Sequence, residues 1–276
     1  MYADGNIDVF MSSKFHHGES IVTKGNRTYS IDSDGHIHEG SGLSIIDISI
    51  TKNVASMLIS VLLLLLIFFS VARGYSKNNK APKGLQAFLE PLILFVKDDI
   101  IKENIGPKYE KYVPFLLTVF FFVLVNNLMG MLPGSANVTG NIAVTLVLSV
   151  FTFILTTISG NKKYWGHIIK PPGVPLALMP IMVPIEIIGI FTKPFALMIR
   201  LFANITAGHI IILSLISLIF IAQSTMGNAG AWAVAPVSVL FVLFIYCIEL
   251  LVAFLQAYIF TLLSAVFIGL AVAEDH

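Results

Sequence analysis

Long runs of apolar residues dominate this sequence from about position 54 onward, with short polar stretches between them. A hydrocarbon core about 30 Å thick needs about 20 helical residues at about 1.5 Å each. Three runs of that length predict membrane spans at 54–72, 114–132 and 142–159. Two longer runs, 180–223 and 234–273, exceed the membrane thickness and predict long, strongly tilted helices. The pattern therefore predicts an all-α polytopic membrane protein with about five crossings.

Two prolines, Pro184 and Pro194, lie inside the first of the long runs. Proline removes a backbone donor, but neighbouring groups in a membrane helix can satisfy the freed carbonyls. Both residues can therefore kink this helix, but neither need end it.

In the segment 84–106, apolar and polar residues are spaced as in an amphipathic helix. Its apolar positions are Leu85, Phe88, Leu92, Phe95 and Val96, and its polar ones are Gln86, Glu90, Lys97, Asp98 and Lys102. This spacing predicts a helix that lies in the membrane interface on the cytoplasmic side. A solvated connector packed on neighbouring helices is the alternative.

Residues 1–53 are polar and predict an N-terminal arm outside the membrane. They carry seven acidic and four basic residues, and their start lacks the basic and apolar regions of a signal peptide. Four histidines, His16, His17, His36 and His38, suggest either a metal cluster or solvated side chains, and the loose spacing favours the second. The sequence assigns no role to this arm.

Composition supports the membrane assignment and excludes some functions. The chain is 56% hydrophobic and only 12% charged, with a mean hydropathy of +0.86. A net charge of +1 argues against nucleic-acid binding. The single cysteine, Cys247, lies in an apolar run, so we expect packing and no internal disulfide.

Basic residues orient the predicted spans. Arg73, Lys77, Lys80 and Lys83 follow the first span, and Lys162, Lys163 and Lys170 follow the third. The positive-inside rule places both groups in the cytoplasm and the N-terminal arm outside. Five crossings then place the C-terminus in the cytoplasm.

Arg200 is the most informative residue in the apolar sequence. Between Lys193 and Glu274 the only permanently charged residues are Arg200 and Glu249, and Arg200 has no acidic residue within a helical turn. A lone arginine in a membrane span costs about 2.5–3.5 kcal/mol, so it usually marks a transport path or a charged partner.

Helical spacing arranges the other polar residues around Arg200. Residues seven apart share a face, which aligns Glu186 and Lys193 with Arg200, and the small side chains of Ala203, Asn204 and Ala207 continue that face. His209 points to the opposite side. If the two long helices run antiparallel, Glu249 can approach His209, and Gln256, seven residues beyond Glu249, can approach Arg200. A histidine and a glutamate in contact can pass protons, whereas arginine cannot release its own.

Three sequence motifs resemble subunit a of the F-type ATP synthase. They are KPFALMIRLFANITAGH with Lys193, Arg200, Asn204 and His209, then IELLVAFLQAYIF with Glu249 and Gln256, and NNLMGMLP after the second span. The similarity runs from Ile46 to the acidic AEDH tail. It implies a non-catalytic stator subunit without cofactor or metal, which offers two offset half-channels to a rotor ring in the bacterial plasma membrane.

The resemblance also implies roles for individual residues. Arg200 matches the arginine that faces the ring, with Asn204 and Gln256 as polar neighbours. His209 and Glu249 match the inlet half-channel, although many bacterial relatives carry these two residue types exchanged. Glu186 matches an acidic residue of the outlet half-channel. The implied partners are a ring of small proteolipid subunits with an intramembrane carboxylate, peripheral-stalk subunit b, other ATP synthase subunits and lipid, with no nucleic acid.

Other interpretations remain open from the residues alone. Arg200 could pair with Glu249 as a structural ion pair, and His209 could be a satisfied core histidine. Glu186 and Lys193 could be interfacial, and Asn204 and Gln256 could pack helices through hydrogen bonds. A secondary transporter should show internal repeats, and a zinc protease a motif such as HExxH, and neither feature occurs in the sequence. Sodium as the coupling ion also stays open.

Overall fold

The computed structural model describes residues 2–3, 6–11, 15, 21–24, 27–32, 37–40, 49–77, 84–132, 137–169 and 178–273. It divides into two compact units, Met1–Lys52 and Asn53–His276. Several residues used above lie outside the described ranges: His16, His17, His36, Lys80, Lys83, Lys170 and the last three residues of the tail.

Short antiparallel strands form the N-terminal unit. Strands β1 (Tyr2–Ala3) and β2 (Asn6–Ile7) pair with each other, and β4 (Arg27–Ile31) pairs with β3 (Val22–Lys24) and β5 (Ile37–Glu39). Phe15, Val22 and Tyr29 form its small buried core. The hydropathy pattern does not predict these strands, because the few apolar residues that meet in this core are separated by polar stretches.

Charged side chains link the strands of this unit. The Arg27 guanidinium lies 3.6 Å from Asp8 and 3.5 Å from Glu39, and the Tyr29 hydroxyl donates to Asp8 at 2.6 Å. Burial, together with this hydrogen bond, raises the pKa of Tyr29. His38 lies 3.8 Å from Asp32, with both side chains exposed, which is the geometry of a solvated surface pair.

The membrane unit is helical. Its elements are α1 (Lys52–Lys77), α2 (Leu85–Leu94), a π-helix (Phe95–Lys102), α3 (Glu103–Ile105), a 3-10 helix (Gly106–Lys111), α4 (Val113–Gly130), α5 (Ile142–Ser159), α6 (Lys162–Ile169) and α7 (Met179–Val272). Four helices of the described residues, α1, α4, α5 and α7, are long and apolar enough to cross a membrane. Their apolar side chains are largely exposed, as expected where lipid replaces water as the solvent.

Helix α7 contains both of the long apolar runs. Its 94 residues would extend about 140 Å, and Pro184, Pro194 and Pro236 lie inside it, so the expectation that proline does not end the first long helix is confirmed. One residue breaks it: Gly227 has φ 70° and ψ −165°, a conformation that only glycine adopts without strain. We call the two parts α7a (residues 179–226) and α7b (residues 228–272).

The break in α7 lies in the interval between the two long apolar runs, residues 224–233. Residues 224–233 are helical on both sides of Gly227. Ser224 and Thr225 donate their hydroxyls to the Ile221 carbonyl, and Gln223 donates to Asn228 at 3.4 Å, so the polar side chains here are satisfied within the helices. No loop is needed, because one glycine changes the chain direction.

Side-chain contacts show that α7a and α7b run antiparallel. His209 contacts Glu249. Lys193, sixteen residues before His209, lies over the ring of Phe267, which is eighteen residues after Glu249. Contacts that move backward along one helix and forward along the other are those of a hairpin. The antiparallel arrangement assumed from the sequence is therefore confirmed.

The amphipathic segment is a compound helix. The single α-helix expected over 84–106 changes at Phe95 into a π-helix. This widening places Val96, Ile100, Ile101 and Ile105 in the buried core, whereas Phe88 in α2 is exposed. The second half therefore packs as a connector on its neighbours, because an apolar spacing of four to five residues fits a wider helix.

Helix α6 lies in a stretch that the sequence pattern treats as a polar loop. It begins next to Asn161, whose backbone N–H donates to Ala271 O and whose side chain donates to Val272 O, both at 2.9 Å. These bonds place the end of α5, the start of α6 and the end of α7b at one end of the unit.

Gly269 allows α7b to approach the backbone of α3. A Cβ at this position would overlap the Asn104 carbonyl, which is backbone and cannot move aside. We expect Gly269→Ala to lower the free energy of unfolding by about 1–3 kcal/mol, measured as a lower melting temperature of the purified chain in detergent. Gly189→Ala is the matched control, since no atom lies within 4 Å of its added Cβ. Equal melting temperatures for the two variants would contradict this packing.

Candidate functional site

The hairpin of α7 brings an imidazole and a carboxylate into contact. His209 Nδ1 lies 2.7 Å from Glu249 Oε1, across forty residues of sequence. Glu249 is only 7% exposed, whereas a third of the His209 side chain is exposed. This is hydrogen-bond distance, so a proton on Nδ1 can be donated directly to the carboxylate. The predicted proximity of the two residues is confirmed.

Gly208 makes room for this contact. A Cβ on residue 208 would lie 2.6 Å from Glu249 Oε1 and 3.1 Å from its Cδ, so any larger residue displaces the carboxylate. The displaced group is the end of a side chain, which can move without unfolding the helix pair. The close approach of backbone and carboxylate is the physical reason for glycine here.

We expect Gly208→Ala to separate Glu249 from His209 and to slow proton transfer between them by about 10- to 100-fold, because a displacement of about 1 Å has that effect on positioned groups. The contact should be followed by NMR of the His209 ring nitrogens in the purified chain in detergent. Gly189→Ala, again the control, should leave these signals unchanged. Unchanged signals in Gly208→Ala would show that the added Cβ does not displace the carboxylate.

A small cavity of about 10 Å3, with room for about one water molecule, adjoins the pair and adds Asn127 to the site. His209, Glu249, Asn204, Asn127 and Met131 line it. Asn127 is 2% exposed, and its amide donates to Ala253 O at 3.1 Å. Its Oδ1 and the second oxygen of Glu249 are buried without a hydrogen-bond partner among the described residues. Two buried acceptors require a donor, such as water or a proton on the carboxyl group.

A wider groove of about 270 Å3 also borders Glu249. Ala207, Gly208, Glu249, Gln256 and Asn204 are among its lining residues. Glu249 and Asn204 therefore line both the inner cavity and this outer groove. A carboxylate that reaches two openings can exchange a proton with either.

Arg200 lies one turn before Asn204 on α7a and is partly exposed. The hydrogen bonds and ion pairs among the described residues include none to its guanidinium, and Glu249 contacts His209 instead. A structural Arg200–Glu249 pair is thus not observed there. Gln256 lines the groove with Asn204, but Arg200 does not, and the expected proximity of Gln256 to Arg200 remains a prediction.

Ala203, Asn204 and Ala207 are exposed on the lateral face of α7a. Together with Arg200 they form a surface of small side chains around one cation. Small residues allow another helix to approach closely. This surface is therefore suited to a membrane partner that carries a negative charge.

A second small cavity, of about 10 Å3, lies between α5 and α7. It is lined by Lys193, Tyr164 and Phe267, and by a set of hydroxyl residues of α5: Ser149, Thr152, Thr156 and Thr157. The Lys193 ammonium lies 5.3 Å from the centroid of the Phe267 ring. Burial, and to a smaller degree the charge of Glu186, raises the pKa of the Tyr164 hydroxyl. Glu186 and Lys193 are thus associated with this cavity and not with the His209–Glu249 pair.

Sequence reasoning missed Asn127, Tyr164 and the hydroxyl residues of α5 as members of these sites. The hydroxyls had a signal: Thr145, Ser149, Thr152 and Thr156 repeat every three or four residues on an otherwise apolar helix. All four are buried. Asn127 had a weaker signal, as a polar residue near the end of an apolar span.

Comparison with known proteins gives one consistent result. The family model described as ATP synthase A chain matches residues 54–269. The chain is 54% identical over 236 residues to ATP synthase subunit a of Chloroherpeton thalassium. This aligned region covers 83% of this chain and 69% of the relative. The chain is 51% identical over 261 residues to ATP synthase subunit a 2 of Chlorobaculum tepidum, which covers 91% and 71%. It is 47% identical over 238 residues to ATP synthase subunit a of Myxococcus xanthus, which covers 84% and 75%.

Proposed function

Because the chain belongs to the ATP synthase A chain family, and is therefore a non-catalytic, multi-pass membrane subunit in the stator of the F-type ATP synthase, we propose that it conducts protons through two offset half-channels to a rotor ring. The observation that carries this proposal is the His209–Glu249 contact, in which the largely buried Glu249 borders both the inner cavity and the outer groove. Family membership also removes the alternatives of a secondary transporter and a zinc protease.

The inlet half-channel reaches Glu249 through the inner cavity. His209 and Asn127 line this cavity, and the unpartnered oxygens of Asn127 and Glu249 favour bound water there. A proton from outside would reach His209 or this water and pass to Glu249. Glu249 would then protonate a ring carboxylate across the outer groove, where Asn204 and Gln256 offer hydrogen bonds.

Arg200 would separate the inlet from the outlet. At about 4 Å and an effective dielectric constant of about 20, its attraction for a ring carboxylate is about 4 kcal/mol, which corresponds to about three pKa units on that carboxylate. The carboxylate must therefore be ionised when it passes Arg200. A proton that leaked directly between the half-channels would have to cross the same positive charge, so ion flow is tied to rotation.

The outlet half-channel would use the cavity between α5 and α7. Lys193 lines that cavity, Glu186 acts by its charge on Tyr164 there, and Ser149, Thr152 and Thr156 contribute hydroxyl groups to a largely apolar lining. Each of these hydroxyls donates to a carbonyl of its own helix and keeps acceptor capacity for water. The proposal adds Tyr164 to this lining.

The same proposal assigns orientation and partners. Lys108, Lys111, Lys162 and Lys163 lie at the end of the unit where α5 and α7b terminate, which favours the cytoplasm for that end and the outside for the N-terminal unit. The exposed face of Ala203, Asn204 and Ala207 would contact the ring of proteolipid subunits, and subunit b would contact another face. The membrane would be the bacterial plasma membrane.

Ion flux in liposomes tests this function and the choice of ion. The chain should be reconstituted with its ring, and flux driven by a membrane potential should be followed with and without sodium. We expect proton flux that needs both components and persists without sodium. Flux by this chain alone would argue against an ion path completed by the ring. Flux that requires sodium would identify sodium, in place of the proton, as the coupling ion.

A further inference from the structure

A basic cleft lies at the end of the membrane unit where α5 and α7b terminate. Its volume is about 570 Å3, it is open to solvent, and Lys108, Glu110, Lys111 and Asn161 are among its lining residues. Two more lysines, Lys162 and Lys163, follow Asn161 at the start of α6 without lining the cleft. Two lysines against one glutamate make the cleft positive, the two lysines of α6 add to the positive charge at this end, and the ion path proposed above does not use it.

An apolar groove of about 650 Å3 lies between α1, α4 and α5. Met57, Phe115, Phe122, Val147 and Phe151 are among its lining residues. Its one hydroxyl side chain, Thr118, donates to Pro114 O at 2.7 Å. The groove therefore offers an occupant apolar contact only.

The cleft and the groove belong to one continuous surface. On α5, Val147, Phe151, Ile154 and Ile158 repeat at intervals of three or four residues and are all exposed. Val147 and Phe151 line the groove, and Ile158, seven residues or about 10 Å further along, lines the cleft. On α4 the distance is shorter, because Tyr112 of the cleft precedes Phe115 of the groove by three residues.

We propose that this surface binds one anionic phospholipid, with its headgroup phosphate at Lys108 and Lys111 in the cleft and an acyl chain in the groove. A basic cleft joined to an apolar groove is complementary to a molecule with a negatively charged end and an apolar body. Basic pockets at the membrane surface bind such headgroups. A transmembrane helix of another subunit could fill the groove, but an apolar helix would offer no anion to the lysines of the cleft. The proposal requires only that the chain is embedded in a membrane.

Fluorescence quenching by brominated lipid gives a direct test. Trp165 Nε1 lies 3.0 Å from the position of a Cβ on Gly160, and Gly160 lines the cleft, so Trp165 reports on it. The full chain carrying Trp232→Phe keeps only this tryptophan and is placed in phosphatidylcholine nanodiscs. We expect a small fraction of phosphatidylglycerol, brominated near the headgroup end of its acyl chains, to quench Trp165 more than an equal fraction of brominated phosphatidylcholine.

Charge variants identify the headgroup site. Each lysine near an anionic lipid surface is worth about fivefold in affinity, so Lys108→Gln with Lys111→Gln should lower the apparent affinity for phosphatidylglycerol by about 25-fold. Lys52→Gln with Lys97→Gln removes the same charge elsewhere and should have no effect. Glu110→Gln should strengthen binding, which loss of folding cannot produce. Equal quenching by the two brominated lipids, or a preference that survives the loss of Lys108 and Lys111, would overturn the proposal.

The groove and the complete complex supply the second test. Val147→Phe should weaken binding by filling the groove, and Val150→Phe, on the same helix but outside it, should not. Native mass spectrometry of the purified ATP synthase should detect a phosphatidylglycerol that the Lys108/Lys111 variant loses. If the isolated chain binds the lipid but the complex holds none, a partner helix occupies the groove and the proposal is wrong. Displacement by millimolar phosphate without any effect of Val147→Phe would instead reveal a site for a free anion.

Discussion

Replacing Arg200 by alanine is expected to abolish proton-driven ATP synthesis while the complex still assembles. The guanidinium has no hydrogen bond or ion pair among the described residues, whereas its neighbours Leu197 and Leu201 are buried in the core. Its removal therefore costs the fold little. The lost attraction of about 4 kcal/mol for a passing ring carboxylate corresponds to about 10³-fold in rate or coupling.

The measurement is ATP synthesis in inverted vesicles under an imposed pH gradient, with assembly followed on native gels. Arg73→Ala is the matched control, since it removes an exposed arginine at the end of α1 and should leave synthesis intact. Normal coupling in Arg200→Ala would refute the role of divider. An equal loss in both variants would attribute the effect to basic charge in general.

Exchanging the two residues of the inlet pair is expected to restore the transport that single changes remove. His209→Glu or Glu249→His alone places two residues of one type at a contact of 2.7 Å, where the charged forms repel each other and the imidazole–carboxylate pair is lost. We expect proton uptake to fall by about 10²-fold in each single variant, the scale of lost acid–base assistance. The double variant, His209→Glu with Glu249→His, keeps an imidazole against a carboxyl group and should recover to within about tenfold of the original rate.

Uptake should be measured from each side of the membrane separately. The single variants should slow uptake from the outside more than release to the cytoplasm, because the pair lies in the inlet half-channel of the proposal. His167→Glu on the exposed face of α6 is the control for introducing a carboxylate and should change neither rate. A double variant as inactive as the single ones would show that the two positions are not interchangeable. A larger effect on release would reverse the proposed orientation.

The helical segments of the membrane unit were predictable because the bilayer imposes a simple rule on the sequence. A span must be apolar for about 20 residues, since an unpaired backbone group or a charge in lipid is costly. The predicted spans 54–72, 114–132 and 142–159 therefore correspond to α1, α4 and α5. The same rule made Arg200 conspicuous, because a cation there needs a reason outside its own helix.

The interval between the two long helices, the π-helix and α6 were less predictable, for physical reasons. Hydropathy does not show whether a short polar stretch such as 224–233 forms a loop or continues as helix when its hydroxyls bond to the backbone. An apolar spacing of four to five residues in 96–105 is ambiguous between helix types. Helix α6 depends on the bonds from Asn161 to Ala271 and Val272, residues more than 100 positions away.

The sequence by itself determined the helical segments, the isolated charge of Arg200 and, through the spacing of seven residues, which polar groups share a face of one helix. These are local properties, set by the bilayer and by 3.6 residues per turn. Only the tertiary structure decided that His209 meets Glu249 over Gly208 and that Asn127 joins their cavity, because these contacts depend on where Gly227 reverses the chain and on the register between helices. Helical periodicity determines the direction of a side chain, but the packing of helices distant in sequence determines which residues that side chain contacts.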